Sequence, residues 1–342
     1  MRAVTPLVWV LQGLKAGDNA QARELAARLP ARTELKTLRY NWLCRLPNYM
    51  LGEGLASVSR GMESLSEPWP DLVIGIGRRS VPVARWIRRQ SGGQTRLVHM
   101  GRPRARTDIF DLVVTTPQYG LPPAPNVIEL ALPLVSETPL PDSELDFWRK
   151  EFADLPRPLI AVLVGGPSRP YRMQTGDMSD LIEAAEELRK KLGGSLIVVG
   201  SPRTPKDAFE DRAQAFGVKC RLFGWAAGKL NPYRAVLRLA DRFVVTSDSV
   251  SMLAEALRTD KPVDVYRLPT RKSVYLPLGN RPLAGLVRRG LVATRRDVPS
   301  FVSKLIAERH VGVLGEGDFA RQPIPRQEDR VVELVRALLP QR

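Results

Sequence analysis

The segment Val244-Val245-Thr246-Ser247-Asp248-Ser249-Val250-Ser251-Met252-Leu253-Ala254-Glu255-Ala256 decides the fold class. Arg242-Phe243-Val244-Val245 is a short β-branched and aromatic run, the composition of a buried strand. A hydroxyl-rich turn ends it, and the spacing beyond predicts a helix over about 250–257. Strand, polar turn and helix form the unit from which parallel sheets covered on both faces are built.

The same order recurs on either side. Leu159-Ile160-Ala161-Val162-Leu163-Val164 leads into Gly165-Gly166-Pro167-Ser168, with an amphipathic helix predicted over 179–192. Ser195-Leu196-Ile197-Val198-Val199 leads into Gly200-Ser201-Pro202-Arg203-Thr204, and 261–266 reads as a further strand. In the first half, an apolar run over 7–11 enters the loop 12–19, with a helix expected from about Ala20 and capped by Asp18 or Asn19. Strands are predicted over 71–76, 96–100 and 111–115, and a helix over 81–89. A proline-rich, then acidic stretch over 116–158 reads as a linker. The expected organisation is a domain over 1–145, a second over 155–325, and a closing helix over 326–342. Val331, Val332, Leu334, Val335 and Leu338 of that helix would pack back on either domain. The fold class is therefore α/β, two Rossmann-like domains with parallel sheets, and ligands belong at the carboxyl ends of the strands.

A length of 342 residues suits two such domains. No apolar run approaches the ~20 residues that cross a bilayer, and the N-terminal run is too short for a signal sequence. Cys44 and Cys220 are the only cysteines, which fits a reducing, cytoplasmic setting. His99 and His310 are the only histidines, so a histidine metal cluster is excluded on count, no metal is expected, and packing is the commoner role for each. The net charge of +16 is concentrated: 75–106 holds nine arginines and no acid, and 265–296 holds eight Lys/Arg and no acid. Such tracts attract anions, whether nucleotide phosphates, an anionic membrane surface or an anionic acceptor, and they serve equally as solvated basic surface. Aromatics are not interleaved with them, so specific nucleic-acid binding is not expected.

Gly75-Ile76-Gly77-Arg78-Arg79-Ser80 departs from the dinucleotide fingerprint. Two arginines fill the turn, Ser80 replaces the third glycine, and no acid follows through residue 107. The turn at 246–249 fits anions better. Thr246, Ser247 and Ser249 offer hydroxyls, and the first amides of the following helix point outward. Glu255, two turns along, could accept ribose hydroxyls. The bland alternative is a helix cap at Asp248 or Ser249 with a solvated Glu255. Gly165-Gly166-Pro167-Ser168-Arg169 and Ser201-Pro202-Arg203-Thr204 add small residues and one arginine each at neighbouring strand ends.

Gly165-Gly166-Pro167-Ser168, Ser201-Pro202-Arg203-Thr204, Asn231-Pro232-Tyr233 and Thr246-Ser247-Asp248-Ser249-Val250-Ser251-Met252 with Glu255-Ala256 resemble the bacterial relatives of the plant elongated-mitochondria (mitochondrial fission) proteins. Gly17-Asp18-Asn19-Ala20-Gln21 and Asp71-Leu72-Val73-Ile74 fit as well, so the match spans about 5–275. That family is similar to GT-B glycosyltransferases. The resemblance implies two Rossmann-like domains facing across a cleft, with acceptor on the first and nucleotide-sugar donor on the second. It places Gly165, Gly166, Ser168, Ser201, Arg203, Thr204, Ser249 and Glu255 on the donor side, joined by Arg169, Thr246 and Asp248 from the loop reading. It suggests Asp18 as the base for a metal-independent transfer without cofactor. The plant members imply a scaffold role at a membrane surface as the alternative. A nucleotide-sugar epimerase would need a second acid/base group, for which His99 is the only histidine nominee.

Overall fold

A computed structural model describes residues 5–59, 65–136, 139–205, 219–226, 228, 230–270, 281–291, 296–317 and 319–340. By contact the chain divides into two units. One comprises Met1–Ser136, Tyr275–Asp297 and Pro325–Arg342; the other comprises Glu137–Val274 and Val298–Ile324.

The first unit holds β1 (Leu7–Gln12), α1 (Ala16–Ala27), β2 (Arg32–Thr37), α2 (Asn48–Leu51), β3 (Leu72–Ile76), α3 (Val81–Gln90), β4 (Arg96–Met100), β5 (Leu112–Thr115) and β6 (Val127–Glu129). The second holds α4 (Asp142–Glu151), β7 (Leu159–Val164), α5 (Thr175–Leu192), β8 (Ser195–Gly200), β9 (Cys220–Phe223), α6 (Tyr233–Leu239), β10 (Arg242–Thr246), α7 (Val250–Leu257) and β11 (Val263–Tyr266). The chain then returns to the first unit for α8 (Arg281–Arg288), adds α9 (Val298–Ala307) and β12 (Gly312–Val313) to the second, and ends in the first with α10 (Glu328–Arg336).

Both sheets have six strands, ordered β2-β1-β3-β4-β5-β6 and β12-β11-β10-β7-β8-β9. Every pairing is parallel. Alternation along the strands of the first sheet feeds two cores. Val8, Val10, Leu72 and Ile74 face Ala22, Leu25 and Ala26 of α1, Leu29 just beyond it, and Val331 and Val335 of α10. Trp9, Leu11, Val73 and Leu97 face Val81, Val83, Ala84 and Ile87 of α3 and Val287 of α8. In the second sheet β7 and β8 are buried along their whole length, as strands covered on both faces must be.

The expected boundaries change at two places. The opening stretch of the first unit ends at Ser136 rather than 145, and the expected linker over 116–158 holds β6 and α4, the latter in the second unit. An unbroken second domain over 155–325 does not describe the contacts, because 275–297 belongs with the first unit. The reason is apolar burial: Val287, 5% exposed, completes the core beside α3. The closing helix goes to the first unit for the same reason. Of the second basic tract, 265–296, residues 271–280 and 292–295 lie outside the described residues. Among the described residues no helix is long and apolar enough to cross a membrane.

Strand order fixes where each unit can bind a ligand. In an open parallel sheet the crevice opens where consecutive connections leave for opposite sides. That point lies between β1 and β3 in the first unit and between β7 and β10 in the second.

Candidate functional site

The switch point of the second unit brings together the loops after β7, β8 and β10. Gly165 donates its amide to the Thr246 hydroxyl at 2.9 Å, and Gly166 donates to the Asp248 carboxylate at 3.0 Å. Thr246 Oγ1 in turn donates a hydrogen bond to Asp248 Oδ1 at 2.8 Å. Ser201 Oγ donates to the Gly165 carbonyl at 2.6 Å, and Thr204 Oγ1 lies 2.5 Å from the same oxygen. Arg203 Nη1 sits 3.1 Å from Asp248 Oδ2 and 3.2 Å from the Gly166 carbonyl. Seven of the expected donor-side residues thus form one hydrogen-bonded knot: Gly165, Gly166, Ser201, Arg203, Thr204, Thr246 and Asp248.

This geometry changes the roles read from sequence. The two glycines admit protein rather than ligand: a Cβ on Gly165 would meet Asp248 Oδ1 at 2.4 Å, and one on Gly166 would meet the Arg203 carbonyl oxygen at 2.2 Å. Thr246 and the Asp248 side chain are fully buried, so neither can touch a ligand; they hold the loops together. Burial pushes the Asp248 carboxyl up, opposed by the Arg203 charge and by the bonds from Gly166 and Thr246. Arg203, with 44% of its side chain exposed, is the cation the knot offers to solvent.

Ser249 is the N-cap residue of α7, and its side chain makes no capping bond. The helix's first amides therefore lack the usual side-chain acceptor at that position. Ser168 and exposed Arg169 continue the Gly165 loop beyond the knot. Glu255 does not stand ready for a ribose. It accepts a short hydrogen bond from the Tyr233 hydroxyl of α6, and burial raises its carboxyl above the usual range. Tyr233, which the sequence offered only within the Asn231-Pro232-Tyr233 resemblance and without a role, is the partner here, its hydroxyl held protonated by burial and by Glu255.

Asp18 lies in the first unit, at that unit's own switch point. The helix carrying it starts at Ala16 rather than near Ala20, and the N-cap is Lys15 without a side-chain bond. Asn19 does not cap the helix, because its side chain is engaged elsewhere. It accepts from the Gly13 amide at 2.8 Å and donates to the Gly13 carbonyl at 2.9 Å, bracing the loop after β1. Asp18 is left in the first helical turn, 3.9 Å from the Lys15 ammonium, on the wall of a cavity of about 370 Å³. His99 does not line that cavity. It is fully buried in β4 with its ring 5.0 Å from Phe110, and burial pushes its pKa down to about 3. It is a neutral core histidine and supplies no second acid/base group.

Comparison with known proteins gives the same fold. The family model described as mitochondrial fission ELM1 matches residues 16–292. Mitochondrial fission protein ELM1 of Arabidopsis thaliana is 27% identical over 237 residues, covering 62% of this chain and 55% of the plant protein. The chain therefore spans little more than half the length of that relative. An uncharacterised protein of Rickettsia prowazekii is 22% identical over 309 residues, 78% of this chain and 85% of that one. Among solved structures, UDP-GlcNAc 2-epimerase of Methanocaldococcus jannaschii matches with a TM-score of 0.51 at 10% identity, covering 96% of this chain and 99% of the other. UGT89C1 of A. thaliana, complexed with UDP-L-rhamnose, matches with 0.50 at 12% identity, covering 99% and 90%. At such identities the structural likeness concerns the fold alone, two Rossmann-like domains of GT-B type. The match of the family model over most of its length places this chain in the mitochondrial fission ELM1 family.

Proposed function

We propose that the second unit binds the diphosphate of a nucleotide or nucleotide sugar, and that the chain is a glycosyltransferase-type protein. One observation carries the reading: at the β7/β10 switch point, Arg203 is fixed beside the Gly165-Gly166 turn next to the uncapped start of α7. Helix amides and a guanidinium are the groups that stabilise a diphosphate, both bound and leaving. Asp248 and Thr246 hold that arrangement from beneath, and Arg169 and Ser168 flank it. The structural neighbour complexed with UDP-L-rhamnose makes uridine nucleotides the natural first probes.

In the transfer itself, the acceptor oxygen bonds the anomeric carbon, the bond from that carbon to the diphosphate breaks, and the nucleoside diphosphate departs. The acceptor proton passes to Asp18, a role that rests on its place at the wall of the first unit's cavity. Docking of the basic first unit at an anionic membrane surface would supply a lipid-borne acceptor. The second reading is a scaffold that kept the fold and lost the chemistry. The internal bonding of the Ser201, Thr204 and Thr246 hydroxyls favours it, since those groups are not free for a ligand.

Thermal unfolding with UDP, GDP, ADP and CMP separates the two. Binding at 100-fold excess over Kd adds about 2.7 kcal/mol of stability. The expected result is an upward shift with at least one nucleotide, lost in Arg203→Ala. No shift with any of them leaves the scaffold. Hydrolysis of the matching nucleotide sugar then tests for chemistry.

A further inference from the structure

The arginine tract over 75–106 is divided by the fold into two groups. Arg85 pairs with Glu53 at 2.5 Å, Arg88 and Arg96 both pair with Asp111, and Arg106 pairs with Asp108. Arg89 is exposed near the end of α3. The remaining four, Arg78, Arg79, Arg102 and Arg104, line the first unit's cavity, where Lys15 and Arg296 join them. Six cationic residues thus line a cavity of about 370 Å³, and Asp18 is the single carboxylate among the lining residues.

The cluster is held in place. Asn48 donates to the Arg78 carbonyl at 3.0 Å and to the Pro103 carbonyl at 2.9 Å, tying the loop after β3 to the loop after β4. The Arg78 guanidinium is clamped by the Leu46 and Cys44 carbonyls, each at 2.9 Å. Arg296 lies 5.2 Å over the Tyr119 ring, and Arg79 lies 5.8 Å from the Tyr40 ring. Among the described residues no carboxylate lies within ion-pair distance of Arg79 or Arg104. The 3-10 turn Arg78–Ser80 runs directly into α3, which fixes the backbone that carries Arg78 and Arg79. Crowding has a cost that an anion would relieve: burial and then the neighbouring Arg104 pull Arg102 down to about 10.

We propose that this cavity is a binding site for a phosphate-bearing ligand, a phosphomonoester or diphosphate group with at least two negative charges. Guanidinium groups held in place around one cavity match the geometry and charge of such a group. A single carboxylate would balance only one of the cations. The site is complete within the first unit and does not depend on the nucleotide reading of the second. The phosphate group belongs either to a small soluble molecule or to a lipid headgroup, and the two differ in their test.

Pyrophosphate binding to the full chain is measured by calorimetry at low salt. The expected result is binding that weakens about tenfold or more in Arg79→Gln and in Arg104→Asn, as loss of a charge-assisted contact requires. Asparagine is chosen because position 104 has a left-handed φ of 51°, which it tolerates. Arg89→Gln, at the exposed end of α3 and outside both sites, should leave this binding unchanged. Loss in Arg203→Ala alone, or no binding at all, overturns the proposal, and the first of these outcomes leaves the nucleotide reading standing. Should a variant not fold, modification of the wild-type chain by phenylglyoxal decides. Pyrophosphate should protect Arg79 and Arg104, and protection confined to Arg203 overturns the proposal. Sedimentation with vesicles containing phosphatidic acid separates the sources: capture that pyrophosphate competes away identifies a headgroup, and binding of pyrophosphate without capture identifies a soluble ligand.

Discussion

Gly166→Ala is expected to destabilise the protein by more than about 3 kcal/mol and to abolish nucleotide binding by the second unit. The added Cβ would sit 2.2 Å from the Arg203 carbonyl oxygen, 2.4 Å from its carbonyl carbon and 2.7 Å from its Cβ. Two of these are backbone atoms, so no rotamer change relieves the overlap, and the loops after β7 and β8 must part. Parting them stretches the Gly166 amide away from Asp248 and the Arg203 guanidinium away from the Gly166 carbonyl. A buried carboxylate that loses its partners is costly to keep charged. The matched control is Gly176→Ala, in the first turn of α5, where a Cβ meets nothing within 4 Å. That substitution should be neutral or stabilise by up to about 1 kcal/mol through the unfolded chain. Urea unfolding of both variants checks the pair. A Gly166→Ala midpoint equal to the wild type would mean that the loops are not packed as described.

The same knot shows what the sequence could reveal about the site. Gly165, Gly166, Ser201, Arg203, Thr204, Thr246 and Asp248 are legible as a set, because small and hydroxyl residues at consecutive strand ends of a parallel sheet must meet at one edge. Their direction is not legible. A threonine that faces a phosphate and one that bonds the next loop look identical in sequence, and only the 2.9 Å and 2.8 Å bonds of Thr246 tell them apart. The arginine tract behaves likewise. Its charge is plain, but the acids that pair four of its members, Glu53, Asp108 and Asp111, lie outside it.

For the fold, strands buried on both faces, such as β7 and β8, are read directly from continuous apolar runs. Edge strand β2, Arg32-Thr33-Glu34-Leu35-Lys36-Thr37, is half solvated and carries no such run, and β12 has only two residues. Neither offers a period to detect. The return of α8 to the first unit is a tertiary choice, made by where Val287 finds a core, and local pattern is silent on it.

The second large effect concerns His99 and pH. Lowering the pH from about 6.5 to 4 should destabilise the wild type relative to His99→Leu by about 1.4 kcal/mol per pH unit. His99 is completely buried between Phe110 and the backbone of Gly75, and among the described residues neither ring nitrogen has a hydrogen-bond partner. Burial therefore disfavours the imidazolium and sets its folded pKa at about 3, against 6.5 for the ordinary side chain. Between those values the unfolded chain carries the extra proton and the folded one does not. Stability consequently falls as pH falls through that window, and above about 6.5 the histidine adds no pH dependence. Leucine fills nearly the same volume without polar atoms. At neutral pH, His99→Leu should therefore be more stable by about 1–3 kcal/mol, the desolvation cost of unsatisfied polar groups. Comparing the two proteins in parallel denaturation series cancels the carboxylates that titrate in both. Parallel curves for wild type and variant from pH 7 to 4 would mean that the ring gains a proton or a partner inside the fold, and that β4 is not packed against α3 as described.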